Sequence, residues 1–233
     1  MNEGSRQHDQ GQGHEPFALR VEVLGVVDYA DALARQEDLV ARRARDEVGD
    51  TLLLLEHPAL FTLGRGSDRA SLPQNSDLPL IETRRGGNIT YHGPGQIVGY
   101  WIRKLVGEDR DLHRHLRLIE ELLIRSLADF EVAASHREGL TGVWTEGGKI
   151  ASIGVAVRSW VTYHGFALNI DVDPAIYRHF RPCGLEGSVM TNLATELKNQ
   201  AATPKVEGHH SLAIEALTRA FKTIDPSTTA SWG

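Results

Sequence analysis

The chain has 233 residues, 41% of them hydrophobic, and a net charge of −6 from 25 basic and 31 acidic side chains. That length suits one ordinary domain or two small ones with a sizeable core. The acidic balance excludes a general polyanion binder, because nucleic-acid affinity rests on neutralising many phosphates. The longest aliphatic run, Leu52 to Leu55, is far short of the roughly 20 residues that span a bilayer. Neither nucleic acid nor a membrane is therefore an expected partner, and the composition fits a monomer.

Residues 1–16 are rich in Gly, Gln, His and Glu and read as a polar, disordered tail without a secretory signal. The single cysteine, Cys183, has no partner within the chain, which places the protein in a reducing compartment, the cytoplasm. Residues 17–225 read as one domain and 226–233 as a short tail. Phe17 to Val27 alternates like a strand, and Asp28 or Asp31 caps a helix running to about Val48 with Leu33, Leu39 and Val40 inward. The unbroken apolar run Thr51–Glu56 is the pattern of a strand covered on both faces. Leu60–Leu63 is a short strand, 68–79 a loop, and Leu80–Thr83, Asn88–His92 and Gln96–Arg103 are strands broken by glycine turns. Asp111 opens a helix that places Leu112, Leu116, Ile119, Leu123, Leu127 and Phe130 on one face. Strands follow at Gly142–Thr145, Ile150–Arg158 and Trp160–Asn169. A last helix runs from Ser211 toward Asp225-Pro226, with Ala213, Leu217, Phe221 and Ile224 inward. Many short strands and about three long helices predict an α/β fold, a mixed sheet with helices packed on it.

Glycine accounts for 23 residues and is clustered, which marks turns and close backbone approaches. Three segments stand out. Arg85-Gly86-Gly87-Asn88-Ile89-Thr90-Tyr91-His92-Gly93-Pro94-Gly95-Gln96 lets a ligand lie against the backbone; the plainer reading is a hairpin connector with a surface histidine. Gly147-Gly148-Lys149 puts a lysine at the mouth of an apolar strand, where burial makes an amine useful as a base or as a cation beside a thiolate; the plainer reading is a solvated lysine. Arg181-Pro182-Cys183-Gly184 sets the cysteine in a turn, a setting for a reactive thiol, whereas most lone cysteines are small buried hydrophobes.

Taken together and in order, these segments resemble the octanoyltransferases of lipoate biosynthesis, the LipB family. The resemblance covers residues 20 to about 225. It includes Thr62-Leu63-Gly64-Arg65-Gly66, Arg85 to Gln96, Lys149 to Gly154, His164 to Asn169, Pro182-Cys183-Gly184 and Thr195-Glu196-Leu197. It implies the biotin/lipoate protein ligase-like fold and an acyltransferase with a Cys/Lys dyad. Cys183 would be the acyl-thioester nucleophile, and Lys149 the group that lowers the thiol pKa and acts as base. Substrate-binding positions carry over to Arg85, Gly86, Gly87, Asn88, Ile89, Thr90, Tyr91 and His92, to Ser152, Ile153 and Gly154, and to Gly165, Phe166 and Ala167.

The implied donor is octanoyl-acyl carrier protein, and the implied acceptors are lipoyl domains and the glycine-cleavage H protein. Neither ATP nor a metal is implied. Because acyl carrier protein is acidic, a local basic patch is expected among Arg65, Arg85, Arg178 and Arg181. The rival readings are an ATP-dependent lipoate or biotin ligase, a relay amidotransferase that takes octanoyl from another lipoyl-domain protein, and a non-catalytic carrier-binding protein.

Overall fold

The structure, a computed structural model, describes residues 18–67, 72, 76–180, 189–200 and 208–224. Both terminal tails, as well as Cys183 and Arg181, lie outside these residues. Among the described residues ten strands and four helices occur in the order β1 (Arg20–Val26), α1 (Tyr29–Ala44), β2 (Thr51–Glu56), β3 (Leu60–Leu63), β4 (Leu80–Glu82), β5 (Thr90–His92), β6 (Gln96–Ile102), α2 (Leu112–Ala128), β7 (Ser135–Arg137), β8 (Leu140–Trp144), β9 (Lys149–Arg158), β10 (Val161–Asn169), α3 (Leu193–Asn199) and α4 (His209–Lys222). Seven strands form the main sheet in the order β1-β2-β6-β10-β9-β8-β7, and β4-β3-β5 form a small second sheet. Within the main sheet only the β1–β2 pair is parallel.

The unbroken apolar run of β2 is explained by its position. Leu52 and Leu54 enter one core, together with Ile97 and Trp101 of β6, Phe166 and Leu168 of β10, and the inner faces of α2 and α4. Leu53 and Leu55 enter the opposite core beneath α1, with Val98, Tyr100 and Ala167. The sheet is thus covered on both faces, and side-chain alternation assigns each residue to its layer. A third cluster joins Phe61, Ile89, Tyr91, Tyr177 and Phe180 around the small sheet.

Local chemistry accounts for the helix starts. Asp111 accepts from the backbone N–H groups of His113 and Arg114 at 2.8 and 3.2 Å, satisfying donors that the first turn leaves open. Asp28 occupies the N-cap of α1 without a side-chain cap bond. Several boundaries differ from the sequence expectation. Helix α1 ends at Ala44 rather than Val48, and Phe130 falls beyond the end of α2. Leu112, expected inward, is the first residue of α2 and is 39% exposed. Strand β7, the 3-10 turn Pro174–His179 and helix α3 had no periodic signal, since each is too short to show one.

The interior of α2 holds one unusual side chain. His115 is buried against the Trp101 ring at 5.1 Å, and neither of its ring nitrogens finds a hydrogen-bond partner among the described residues. Burial, followed by the nearby Arg103 charge, pushes its pKa down to about 3. The unfolded chain protonates this ring near 6.5, so native stability drains away as pH falls across the window from about 6.5 to about 3. His115→Leu removes that proton uptake. Its fall in Tm between pH 7.5 and pH 5 is expected to be smaller than that of the wild type, and an equal fall refutes the role given to His115.

Candidate active site

The middle of β9 and β10 forms the floor of a pocket that encloses about 430 Å³ of free space, its open mouth included. Ser152, Ile153 and Gly154 contribute from β9, and Gly165, Phe166 and Ala167 from β10. These two triplets are direct cross-strand partners: Gly165 faces Gly154, Phe166 faces Ile153, and Ala167 faces Ser152. The loop holding Arg85 and Gly87 forms one wall, anchored by the Gly86 N–H donating to the Val155 carbonyl at 2.9 Å. Thr90 and His92 project from β5 into the same space, as the alternation along a strand requires.

Ten of the fourteen expected binding residues therefore meet in one cavity. The other four are Gly86, Asn88, Ile89 and Tyr91. Ile89 and Tyr91 face away into the cluster around Phe61, and Gly86 and Asn88 shape the loop without lining the pocket. Three lining residues were missed from sequence: Tyr29, Tyr100 and His164. His164 adjoins the Gly165-Phe166-Ala167 triplet and could have been taken with it. Tyr29 and Tyr100 carried no signal, because they arrive from α1 and β6 through tertiary packing.

Arg85 is only 8% exposed, so it is not one of the surface charges it was expected to join; Arg65 is exposed. The Arg85 guanidinium donates to the Thr62 carbonyl and hydroxyl, each at 2.8 Å, and to the carbonyls of Gly86 and Asn88 at 3.0 and 2.8 Å. These bonds fix proton positions along the wall. Thr62 Oγ1 accepts from Arg85, which cannot accept, so its own proton points to His92 Nε2 at 3.3 Å. Gln96 turns its amide nitrogen to the Tyr91 carbonyl at 3.1 Å, leaving Oε1 to accept from His92 Nδ1 at 2.8 Å. His92 is thereby a neutral Nδ1–H tautomer with both nitrogens engaged.

The surrounding charges agree with that assignment. Burial, then electrostatic repulsion by neighbouring His57 and Arg85, holds His92 down at about 3. Burial and Arg85 hold His164 at about 4. Burial also raises Tyr29 to about 12 and Tyr100 well above its ordinary value. Beneath the pocket His57 donates from Nδ1 to the Val27 carbonyl at 2.6 Å and accepts from the Tyr100 hydroxyl at 2.7 Å. The pocket is consequently uncharged at its rings near neutral pH, with Arg85 as the fixed cation in its wall.

His164 has φ +57°, a strained backbone for a residue with a side chain. Its N–H is held at 2.8 Å by the fully buried Gln36 of α1.

Lys149 opens β9, three residues before Ser152, or about 10 Å along an extended strand. It is 2% exposed, with its ammonium 5.7 Å from the Trp144 ring centroid. Met190 forms a parallel bridge with Lys149, and the Thr191 N–H donates to the Lys149 carbonyl at 3.1 Å. Gly148 makes that approach possible: its φ is +142°, and an added Cβ would lie 2.3 Å from the Val189 carbonyl oxygen. Among the described residues no group of three or more His, Cys, Asp or Glu side chains is arranged to hold a metal ion. No helix among them is long and apolar enough to cross a membrane.

Comparison with solved structures agrees with this architecture. A bipartite lipoate protein ligase with its E2 lipoyl domain from Thermoplasma acidophilum superimposes with a TM-score of 0.62, at 15% identity, over 89% of this chain and 83% of that one. Lipoate-protein ligase A bound with ATP gives 0.61 at 14% identity, over 90% and 85%. The fold is thus that of the lipoate protein ligases. Residues 28–215 match the family described as the lipoyl protein ligase A/B catalytic domain. An octanoyltransferase of Geobacter sulfurreducens is 51% identical over 178 residues, 76% of this chain and 75% of that one. An octanoyltransferase of Geotalea uraniireducens is 43% identical over 204 residues, 88% and 95%. The chain belongs to the LipB family of octanoyltransferases within the lipoyl protein ligase A/B group, and it is an acyltransferase of protein lipoylation.

If this pocket holds the octanoyl group, its walls would act as a ruler, each buried methylene contributing about 0.8 kcal/mol. Ala167→Leu fills the floor where Ala167 and Ser152 face each other. It is expected to shift preference from eight carbons toward six by about fourfold per excluded methylene. Initial rates with hexanoyl and octanoyl thioesters measure this, and an unchanged ratio removes Ala167 from the acyl site.

Proposed function

We propose that the protein moves octanoyl from octanoyl-acyl carrier protein to the ε-amine of a lysine on lipoyl domains and the glycine-cleavage H protein, through a thioester on Cys183, without ATP or a metal. The observation that carries this reading is the placement of Lys149, a buried cation at the head of the strand that becomes the pocket floor. Met190, seven positions after Cys183, bridges that lysine, which supports a pairing of the two side chains across the 34 residues that separate them.

In the first half-reaction the Cys183 thiolate attacks the donor thioester carbon. The new C–S bond forms, the old one breaks, and the phosphopantetheine sulfur leaves as a thiol after taking the proton of the Lys149 ammonium. The Lys149 cation favours the thiolate. In the second half-reaction the acceptor amine attacks the octanoyl carbon, a C–N bond forms, and the Cys183 thiolate departs. Lys149, by then neutral, takes the proton from the attacking amine. Thioester exchange is nearly balanced, whereas amide formation from a thioester is downhill, so transfer proceeds without nucleotide activation.

Intact-mass spectrometry after mixing with octanoyl-acyl carrier protein tests the route. A hydroxylamine-labile octanoyl adduct is expected. It should be absent in Cys183→Ala and should pass to an apo lipoyl domain only when that domain is added. Lys149→Ala is expected to slow loading by about two orders of magnitude or more, the range of a lost proton-transfer group. Transfer from free octanoate that requires ATP, with no adduct, would overturn the thioester route. Transfer only from octanoylated H protein would assign a different donor.

A further inference from the structure

The last residue of β10, Asn169, is 1% exposed and lies two positions beyond the pocket floor. It has no part in the chemistry just described, yet it joins three separate stretches of chain. Its Nδ2 donates to the Thr191 carbonyl at 3.0 Å. Its Oδ1 accepts from Gln96 Nε2 at 3.0 Å and from the Tyr177 hydroxyl at 2.9 Å.

The orientation of this amide is dictated by its partners. A backbone carbonyl can only accept, so the nitrogen must face Thr191 and the oxygen must face Gln96 and Tyr177. Gln96 is bound in the same sense by the Tyr91 carbonyl, and it passes the constraint on to His92 in the pocket wall. On the other side Thr191 donates its N–H to the Lys149 carbonyl, while its hydroxyl donates to Glu196 Oε1 at 2.6 Å. One buried side chain thus links the acyl pocket, through Gln96 and His92, to the strand partner of Lys149. The third arm, Tyr177, lies six residues before Cys183.

We infer that Asn169 is a positioning residue: it sets the register between the acyl pocket and Lys149, and so places the lysine relative to the Cys183 thiol. The inference rests on the proposed pairing of Cys183 with Lys149. A buried amide with all three partners satisfied holds its neighbours far more rigidly than apolar packing alone, because any shift leaves a polar group unpaired. Displacing a reacting group by on the order of 1 Å costs about a hundredfold in rate.

Cys183 is the sole cysteine, so the pH dependence of alkylation of the full chain by iodoacetamide reports that thiol alone. The wild-type inflexion is expected below the ~8.5 of an ordinary cysteine, and Lys149→Ala should return it to that value. Asn169→Ala is expected to move it at least halfway, and Tyr177→Phe, which deletes a single hydroxyl, to move it less in the same direction. The same variants should lose loading rate with the donor KM unchanged. Leu217→Ala, a core truncation on α4, lowers Tm without touching the network and should keep the wild-type inflexion. If Lys149→Ala shifts the inflexion while Asn169→Ala and Tyr177→Phe do not, the positioning role is overturned and the dyad stands. If Lys149→Ala leaves it unmoved, the pairing itself fails and the positioning role falls with it. Should Asn169→Ala not fold, Tyr177→Phe decides the matter alone.

Discussion

A guanidinium buried in the wall of a pocket is tolerable only if acceptors meet its N–H groups, and much of this site is arranged around that requirement. Arg85 finds its acceptors in Thr62 on β3 and in the carbonyls of Gly86 and Asn88. Satisfying it ties the small sheet to the glycine loop. The loop is tied in turn to the main sheet through Gly86 and Val155. Gly64 belongs to the same arrangement: an added Cβ would lie 2.1 Å from the Gly87 carbonyl oxygen, so the two glycine clusters pack backbone against backbone. Without that close approach, Arg85 could not reach both stretches at once.

The same cation shapes the chemistry of the cavity. Its charge adds to burial in keeping His92 and His164 neutral, and its bonds orient Thr62 so that His92 has no free nitrogen. The imidazoles in the wall are therefore poor candidates for a general base, although a histidine beside a glycine-rich loop invites that role. In the proposed mechanism proton transfer falls to Lys149, outside the pocket and at the head of its floor strand. Holding the acyl chain and moving the proton would then be separate tasks, given to the middle and the end of β9.

Fold likeness alone would leave the activity open, because the lipoate ligases share this architecture at only 14 to 15% identity. Function follows the site rather than the scaffold. Octanoyltransferase relatives at 43 to 51% identity fix the class of reaction.

The elements with strong periodicity were legible in the sequence: the doubly covered β2, the amphipathic α2 and the pairing-length β9 and β10 owe their form to burial patterns that any reader of the chain can count. The segments expected to bind substrate came from the family resemblance, and ten of their fourteen residues line one pocket. What escaped were features whose cause is non-local. Tyr29 reaches the pocket because α1 packs on the sheet, and Tyr100 because β6 pairs with β10 beside Gly165. The isolation of β3, β4 and β5 as a separate sheet depends on how the glycine loop folds back. Arg85 looked like a surface charge, since nothing in its neighbours announces that Thr62, 23 residues earlier, would receive it. The sequence by itself determined the local conformations and the chemical inventory. Only the tertiary structure decided which polar groups must satisfy one another, because burial, which makes an unpaired donor costly, exists only once the layers have closed.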